Sequence, residues 1–159
     1  MIWDRYDSPL GEMRLCCDEE GLRAVIFAGQ KYADRHIPSD ALQGTHPVLE
    51  ITKVWLSQYF SGETPNFMPP FKLNGSAFQL RVWKALLQIP YGETITYGEL
   101  AKRLGCKSAQ AVGSAVGKNP IPILIPCHRV MGAGSKLTGY AGGLEKKEAL
   151  LKLEKDHLK

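Results

Sequence analysis

The pattern of the sequence changes near residue 70, and this change constrains the fold more than any other feature. Before it, short runs rich in strand-forming residues occupy positions 2–6, 12–17 and 22–27, with turn signals between them. After it, helix start signals dominate. We therefore predict an α/β (α+β) protein with a small antiparallel-sheet domain over residues 1–70 and a mainly helical domain over residues 71–159.

A helix is also predicted within the first domain, over residues 47–60. Apolar residues recur there at a helical period, and Gly62 follows as a stop signal. Residues 64–70 have the composition of a linker. The apolar face of this predicted helix contains Val48, Ile51, Val54, Trp55 and Tyr59.

The second domain begins with capped helices. Residues 76–79 and 96–99 each form a capping box, in which the first and last side chains satisfy backbone groups at a helix start. Ser108 then caps another helix that runs to about Lys118. Two short helices across a tight turn are typical of a helix-turn-helix, and an αα-hairpin with no nucleic-acid role fits the same pattern.

The second helix of this pair is unusual because it has almost no bulky side chains. Glycine in a helix interior costs about 1 kcal/mol relative to alanine, so Gly113 and Gly117 indicate that another helix or a nucleic-acid backbone comes very close. Few long side chains are available to read base edges in a major groove. We therefore expect contact with nucleic acid that does not depend on its sequence.

Composition narrows the class of protein further. The chain has 159 residues, 44% hydrophobic and 23% charged, and no apolar run of membrane-spanning length. Its first residues do not form a signal peptide, so a cytoplasmic protein is predicted. Residues 1–70 contain 6 Lys and Arg against 10 Asp and Glu, whereas residues 71–159 contain 14 against 6. The basic second half suggests a polyanion partner, although a solvated lysine-rich surface explains it equally well.

The four cysteines do not form a recognisable framework. Cys16 and Cys17 are adjacent, Cys106 follows a glycine, and Cys127 stands alone. This spacing predicts neither a set of disulfides nor a CxxC metal site. We therefore predict no metal.

Residues 123–130, ILIPCHRV, place a thiol and an imidazole next to each other at the end of an apolar run. Such a run is typical of a buried strand, and Pro126 favours extended geometry at Ile125. Neighbouring side chains of an extended chain point apart, so His128 needs a water molecule to reach Cys127 and another group to orient it. A buried cysteine beside a structural histidine is the alternative interpretation.

The segment NPIPILIPCHRV (residues 119–130), followed by GYAGGL (139–144), closely resembles the O6-alkylguanine-DNA alkyltransferases. The resemblance extends from residues 78–79 through 97–101 to residues 147–154, and more weakly to residues 7–11. It implies a winged helix-turn-helix-like motif that binds double-stranded DNA through the minor groove, without sequence specificity. It also implies that the damaged guanine is flipped out and that a buried cysteine keeps its alkyl group permanently, in a monomer without a cofactor.

The resemblance also implies roles for individual residues. Cys127 is the nucleophile, His128 acts through a bridging water, and Glu154 orients His128. Tyr97 lies near the extruded base and the rotated phosphate, and Asn119 is the hinge between the recognition helix and the active-site segment. The implied base pocket consists of Val116, Pro122, Ile123, Val130, Tyr140 and Ala141. The implied DNA contacts are Ser76, Ala109, Gln110, Gly113, Ser114, Gly117 and Lys118.

The sequence departs from the family pattern on the recognition helix. Members usually have an arginine that fills the hole left by the flipped base, and this chain has the uncharged Gln110 after a turn one residue shorter. The zinc site of some relatives is not reproduced, because residues 1–8 contain no cysteine. We predict a single-turnover DNA alkyl acceptor. A lesion-binding protein that recruits other repair factors and a helix-turn-helix regulator are the alternatives.

Overall fold

The computed structural model describes residues 1–30 and 35–158 and divides the chain into two compact units, Met1–Leu73 and Asn74–Lys159. The division predicted after residue 70 lies inside the first unit. Within the described part of the chain, no helix is long and apolar enough to cross a membrane.

The first unit contains a four-stranded sheet. Its strands are β1 (Ile2–Ser8), β2 (Gly11–Asp18), β3 (Gly21–Phe27) and β4 (Leu42–Gln43), in the order β3-β2-β1-β4. The first three strands are antiparallel, and β4 pairs with β1 in parallel. The predicted antiparallel sheet is confirmed, and each strand extends slightly beyond its predicted ends.

Helix α1 (Pro47–Phe60) packs on this sheet. The prediction of its buried face was wrong in part, because the side chains of Ile51 and Val54 are 40% and 50% exposed. Thr52 is buried on the face that packs, and its hydroxyl donates to the carbonyl of Val48 at 2.7 Å. Two apolar stripes run along this helix, and a buried threonine is tolerated because its hydrogen bond is made within the helix. The buried residues of α1 are Leu49, Thr52, Trp55, Leu56 and Tyr59.

The second unit is mainly helical, as predicted. Strands β5 (Ile95–Thr96) and β6 (Val130–Met131) pair in parallel and form a small two-stranded sheet. The helices are α2 (Ala77–Leu86), α3 (Tyr97–Arg103), α4 (Ala109–Gly117) and α5 (Leu144–Asp156).

Both predicted capping boxes are present. The Ser76 hydroxyl accepts a hydrogen bond from the Gln79 backbone N–H at 3.0 Å, and the Gln79 side chain accepts one from the Ser76 N–H at the same distance. Thr96 and Glu99 make the equivalent pair at the start of α3. These bonds satisfy backbone N–H groups that have no partner inside a helix, so the helices begin where the sequence predicts.

Helices α3 and α4 pack against each other, and α4 also packs on α2. The indole N–H of Trp83 on α2 donates to the carbonyl of Ala115 on α4 at 2.8 Å, inside the core. A Cβ added to Gly113 would lie 3.7 Å from the Tyr97 ring, whereas one added to Gly117 would meet no described atom within 4 Å. Within this unit, a side chain at Gly113 would therefore meet Tyr97 at an ordinary van der Waals distance, and Gly117 leaves an open surface.

Candidate active site

The segment that leads into Cys127 contains a tight turn, so the prediction of a buried strand over this apolar run was wrong, as was that of an extended chain at Cys127 and His128. Ile123 has a positive φ of 74°, and Cys127–Arg129 forms one turn of 3-10 helix. The Asn119 side chain shapes this loop: it accepts from the Ile121 N–H at 3.1 Å and donates to the Ile125 carbonyl at 2.8 Å. Because one amide side chain satisfies backbone groups of Ile121 and Ile125, which are four residues apart, the chain turns back on itself and cannot continue as a strand.

The Cys127 side chain is almost completely buried, with 7% of the residue exposed. Burial raises the pKa of its thiol to about 11, while a hydrogen bond with the Asn119 side chain and the positive charge of Lys147 act in the opposite direction. The resting side chain is therefore the neutral thiol. A reaction that needs the thiolate must remove a proton at this site.

His128 and Glu154 form a buried pair. The Nε2 atom of His128 lies 2.5 Å from Oε2 of Glu154, and both residues have 0% exposure. Burial lowers the pKa of His128 in spite of the opposing effect of Glu154, so the imidazole is neutral near pH 7. Burial on its own would raise the pKa of Glu154, but its bonds to His128 and Arg129 outweigh burial and lower that pKa to about 2.

Glu154 has two further partners that the sequence did not predict. Arg129 donates to both carboxylate oxygens, with Nε 2.8 Å from Oε1 and Nη2 3.1 Å from Oε2. The backbone N–H of Gly92 also donates to Oε1 of Glu154 at 2.9 Å. Arg129 makes a third hydrogen bond, from Nη1 to the Ile89 carbonyl at 2.7 Å. A signal for Arg129 was present, because an arginine inside an apolar segment needs a buried acceptor.

Lys147 is a second functional candidate that the sequence analysis missed. It lies on α5, on the same buried face as Leu150 and Glu154, and has 0% exposure. Its ammonium group donates to the carbonyls of Val130 and Thr138, both at 2.6 Å. The signal was its helical spacing from Glu154, since residues seven apart share one face of a helix.

Cys127 lines a cavity of about 160 Å³. Four of the six predicted pocket residues line this cavity: Val116, Pro122, Tyr140 and Ala141. Ile123 and Val130 are buried next to it along the chain but do not line it, with 1% and 0% exposure. The remaining lining residues are Tyr97, Gly113, Gly117, Asn119 and Gly139.

Two tyrosines at this cavity keep their protons at neutral pH. Burial raises the pKa of Tyr97, although a hydrogen bond with the Thr138 side chain opposes the effect. Burial also raises the pKa of Tyr140 well above its ordinary value, and the nearby charges of Cys127 and Glu154 add to this. Both phenols therefore offer O–H donors at the site of the thiol.

The predicted DNA contacts lie on the outer side of the second unit. Gln110 and Ser114 are exposed on α4, while Val112 and Val116 point into the core. Gly113 and Gly117 also line the cavity, so α4 borders the site that contains Cys127. The other exposed members of the predicted set are Ser76, Ala109, Gly117 and Lys118. No cluster of three His, Cys, Asp or Glu side chains suited to a metal occurs among residues 1–30 and 35–158.

Both units of the chain match models of the same protein family. The family described as "6-O-methylguanine DNA methyltransferase, ribonuclease-like domain" matches residues 1–73, and its "DNA binding domain" matches residues 77–156. The chain therefore consists of two recognised domains of one class of DNA repair protein. It belongs to the 6-O-methylguanine DNA methyltransferase family.

Individual relatives agree with this assignment. The methylated-DNA–protein-cysteine methyltransferase of Mycolicibacterium paratuberculosis is 56% identical over 153 residues, which are 95% of this chain and 90% of that protein. The protein of the same name from Methanosarcina acetivorans is 47% identical over 156 residues, or 97% and 98% of the two chains. A crystal structure of Mycobacterium tuberculosis OGT in complex with DNA has a TM-score of 0.89 at 42% identity, and covers 99% of this chain and 94% of that one.

Proposed function

We propose that this protein repairs DNA by direct reversal, with Cys127 as the single-use acceptor of the alkyl group from O6-alkylguanine. The observation that carries the proposal is the buried thiol of Cys127 at a cavity beside a His128–Glu154 pair. The relatives are named for transfer of a methyl group from DNA to a protein cysteine. In the reaction an S–C bond forms, the bond from carbon to O6 breaks, and its electron pair stays on the guanine. No cofactor is required, because the alkyl carbon passes directly from O6 to sulfur in one substitution, and the guanine leaves with the electron pair of the broken bond.

The thiol proton must leave before or during the attack. In this proposal His128 takes it through a bridging water at Nδ1, because Nε2 is held by Glu154. The imidazolium that results is stabilised by the Glu154 carboxylate, which remains ionised. The arrangement is a general base with an orienting carboxylate, as in other enzymes that activate a nucleophile.

The guanine gains electron density as it leaves, and hydrogen-bond donors stabilise this charge. Tyr97 is proposed to donate to the flipped base, since its phenol lines the cavity and keeps its proton. The wall of the base pocket is assigned to Val116, Pro122, Tyr140 and Ala141. Backbone N–H groups near Ala141 are assigned to O6. Asn119 serves as the hinge, because its side chain bonds to the loop and to the thiol.

Double-stranded DNA is the proposed partner. Helix α4 presents small and uncharged residues to the outside, which suits entry into a minor groove and gives little base readout. Chemistry on a base inside a duplex requires that the nucleotide be flipped out. Gln110 is assigned to the position that fills the hole left by the flipped base. The crystal structure of the Mycobacterium tuberculosis relative contains DNA. The protein is also proposed to be a monomer and to act in the cytoplasm.

Intact-protein mass spectrometry with peptide mapping tests the acceptor. Incubation with excess duplex that contains O6-methylguanine should add one methyl group to each chain, at Cys127. The matched controls are Cys127→Ser, which should gain nothing, and Cys106→Ser, which should still gain one. Tight binding of the lesion without a gain in mass would indicate the lesion-binding alternative. A methyl group on Cys16, Cys17 or Cys106 would overturn the residue assignment.

A further inference from the structure

We propose that Lys147 is a positioning residue for the transfer reaction: its buried ammonium group ties the segment that carries Cys127 to the loop that carries Tyr140. The inference rests on the proposed function and adds a residue to it. It concerns the geometry of the base pocket, and the thiol itself remains the reacting group.

All three N–H donors of Lys147 are used by the main chain. Nζ lies 2.6 Å from the carbonyl oxygen of Val130, 2.6 Å from that of Thr138 and 3.3 Å from that of Gly139. Val130 is the residue directly after the Cys127–Arg129 turn, and Gly139 directly precedes Tyr140. One side chain therefore joins the backbone that follows Cys127 to the backbone that precedes Tyr140, and Cys127 and Tyr140 both line the cavity.

The two stretches depend on this side chain because few other polar bonds connect them. One described backbone hydrogen bond joins residues 130–132 to residues 136–139: the Gly132 N–H donates to the Lys136 carbonyl at 2.8 Å. A Cβ added at Gly132 would lie 2.8 Å from Cγ2 of Thr138, so the Thr138 side chain packs directly on the Gly132 backbone. At Thr138 and Gly139, directly before Tyr140, the Lys147 side chain supplies hydrogen bonds to the backbone carbonyls.

Burial of this ammonium group is expensive, and none of its described partners is a carboxylate. Lys147 has 0% exposure, and its described hydrogen bonds all go to neutral carbonyl oxygens. Burial lowers its pKa, and the negative charge available at Cys127 opposes that shift. A buried cation that is not paired with a described carboxylate is rare in proteins. A functional role for Lys147 explains why it is buried here.

The same ammonium group is electrostatically coupled to Cys127. Its charge acts to lower the pKa of the thiol. Loss of the charge therefore affects thiol ionisation, and loss of the three hydrogen bonds affects the pocket. The two effects are separable, because a small alkylating reagent needs the thiolate but does not need an ordered base pocket.

The experiment compares two reactions of Cys127 in the full chain. The first is transfer from free O6-benzylguanine, which uses the pocket, and the second is alkylation by iodoacetamide at the same pH, which does not. The variants are Lys147→Met, which lacks charge and donors, and Lys147→Gln, which lacks the charge and keeps an N–H₂ group. Lys155→Met is the matched control, because Lys155 is exposed on the same helix and loses the same charge.

We expect Lys147→Met to slow benzyl transfer by about tenfold or more beyond any effect on iodoacetamide alkylation, since small displacements of a bound reactant reduce rates steeply. Lys147→Gln should recover part of this loss, and Lys155→Met should stay within about twofold of wild type. Equal slowing of both reactions by Lys147→Met, or no slowing of transfer, would overturn the inference. If Lys147→Met does not fold, as shown by loss of its cooperative unfolding transition, Lys147→Gln becomes the test. A folded Lys147→Gln variant with the wild-type rate of transfer would then overturn the inference. Failure of the wild-type chain to transfer at all would instead contradict the proposed function.

Discussion

His128 Nε2 lies 2.5 Å from Glu154 Oε2, and neither side chain is exposed. The carboxylate accepts a hydrogen from this nitrogen, so the neutral imidazole carries its proton on Nε2 and its lone pair on Nδ1. This choice of tautomer follows from the hydrogen-bond partner, because a carboxylate can only accept the hydrogen. A lone pair on Nδ1 is what a proton relay from Cys127 needs.

The first prediction tests this relay. His128→Phe and Glu154→Gln should each slow methyl transfer from duplex DNA by roughly 10²–10⁴-fold, the range typical of general-base catalysis. Affinity for the duplex should be nearly unchanged, because both residues are buried and do not contact phosphates. Single-turnover transfer rates and equilibrium binding to an unmodified duplex measure the two properties separately.

Controls for the relay are available on the same helix. Glu148→Gln removes an exposed carboxylate from α5, and His157→Phe removes the exposed histidine that follows it. Both controls should transfer at close to the wild-type rate. Parallel losses of affinity and rate in the His128 and Glu154 variants would argue against the relay.

The second prediction concerns Arg129, which donates to both carboxylate oxygens of Glu154. Arg129→Met should lower the free energy of unfolding by about 3–5 kcal/mol, because removal of one partner leaves a buried carboxylate less compensated. The Ile89 carbonyl would also lose its donor. Urea unfolding measures the change, with Arg103→Met as an exposed control at the end of α3 that should shift stability by less than about 0.5 kcal/mol. Similar stability of Arg129→Met and wild type would contradict this account of the buried cluster.

The third prediction concerns Gln110, which is exposed near the start of α4. Gln110→Arg adds a positive charge where phosphates are expected, so it should tighten duplex binding and steepen the salt dependence by about one unit of slope. If extrusion of the base limits the reaction, transfer from duplex DNA should also accelerate, while transfer from free O6-benzylguanine stays the same. Lys107→Gln serves as a comparison, because it removes a positive charge from the turn before α4, whereas Gln110→Arg adds one.

Two outcomes would show that Gln110 is not at the position that replaces the flipped base. One is unchanged duplex affinity and rate in Gln110→Arg. The other is an equal acceleration with the free base, which needs no extrusion. Either result would mean that the shortened turn before α4 shifts the alignment.

The fourth prediction is a loss of stability in mild acid. Burial lowers the pKa of His128 below its ordinary value of 6.5, so the folded state binds this proton less tightly than the unfolded state. The contribution of His128 is therefore present above pH 6.5 and is lost as the pH falls through the folded pKa. Glu154 acts in a lower window, between its ordinary value of 4.5 and its folded value of about 2.

Urea unfolding at about pH 7.5 and about pH 5.5 measures the upper window. His36 has a pKa lowered by burial as well, so the wild-type chain should show two contributions. His128→Asn should remove one of them and flatten the dependence, whereas the exposed His157→Asn should leave it unchanged. An identical pH dependence in His128→Asn and wild type would contradict a neutral, buried His128.

Local features were predictable from the sequence alone because they depend on residues close together in the chain. The capping boxes that begin at Ser76 and Thr96 are made within one helical turn, and helix α1 has the predicted bounds, Pro47–Phe60. The resemblance of residues 119–130 and 147–154 to a known family also predicted the thiol and its two proposed partners. These signals need no knowledge of the tertiary structure.

Only the tertiary structure decided which side chains meet at the site. Asn119 turns the chain that was predicted to be extended, because its amide satisfies backbone groups on both sides of the loop. Glu154 receives Arg129 and Gly92 as well as His128, and Gly92 is 62 positions away in sequence. Helix α1 buries Thr52 and exposes Ile51, because the sheet covers one of its two apolar stripes. Such choices depend on contacts between distant segments, and periodicity within one segment carries no information about them.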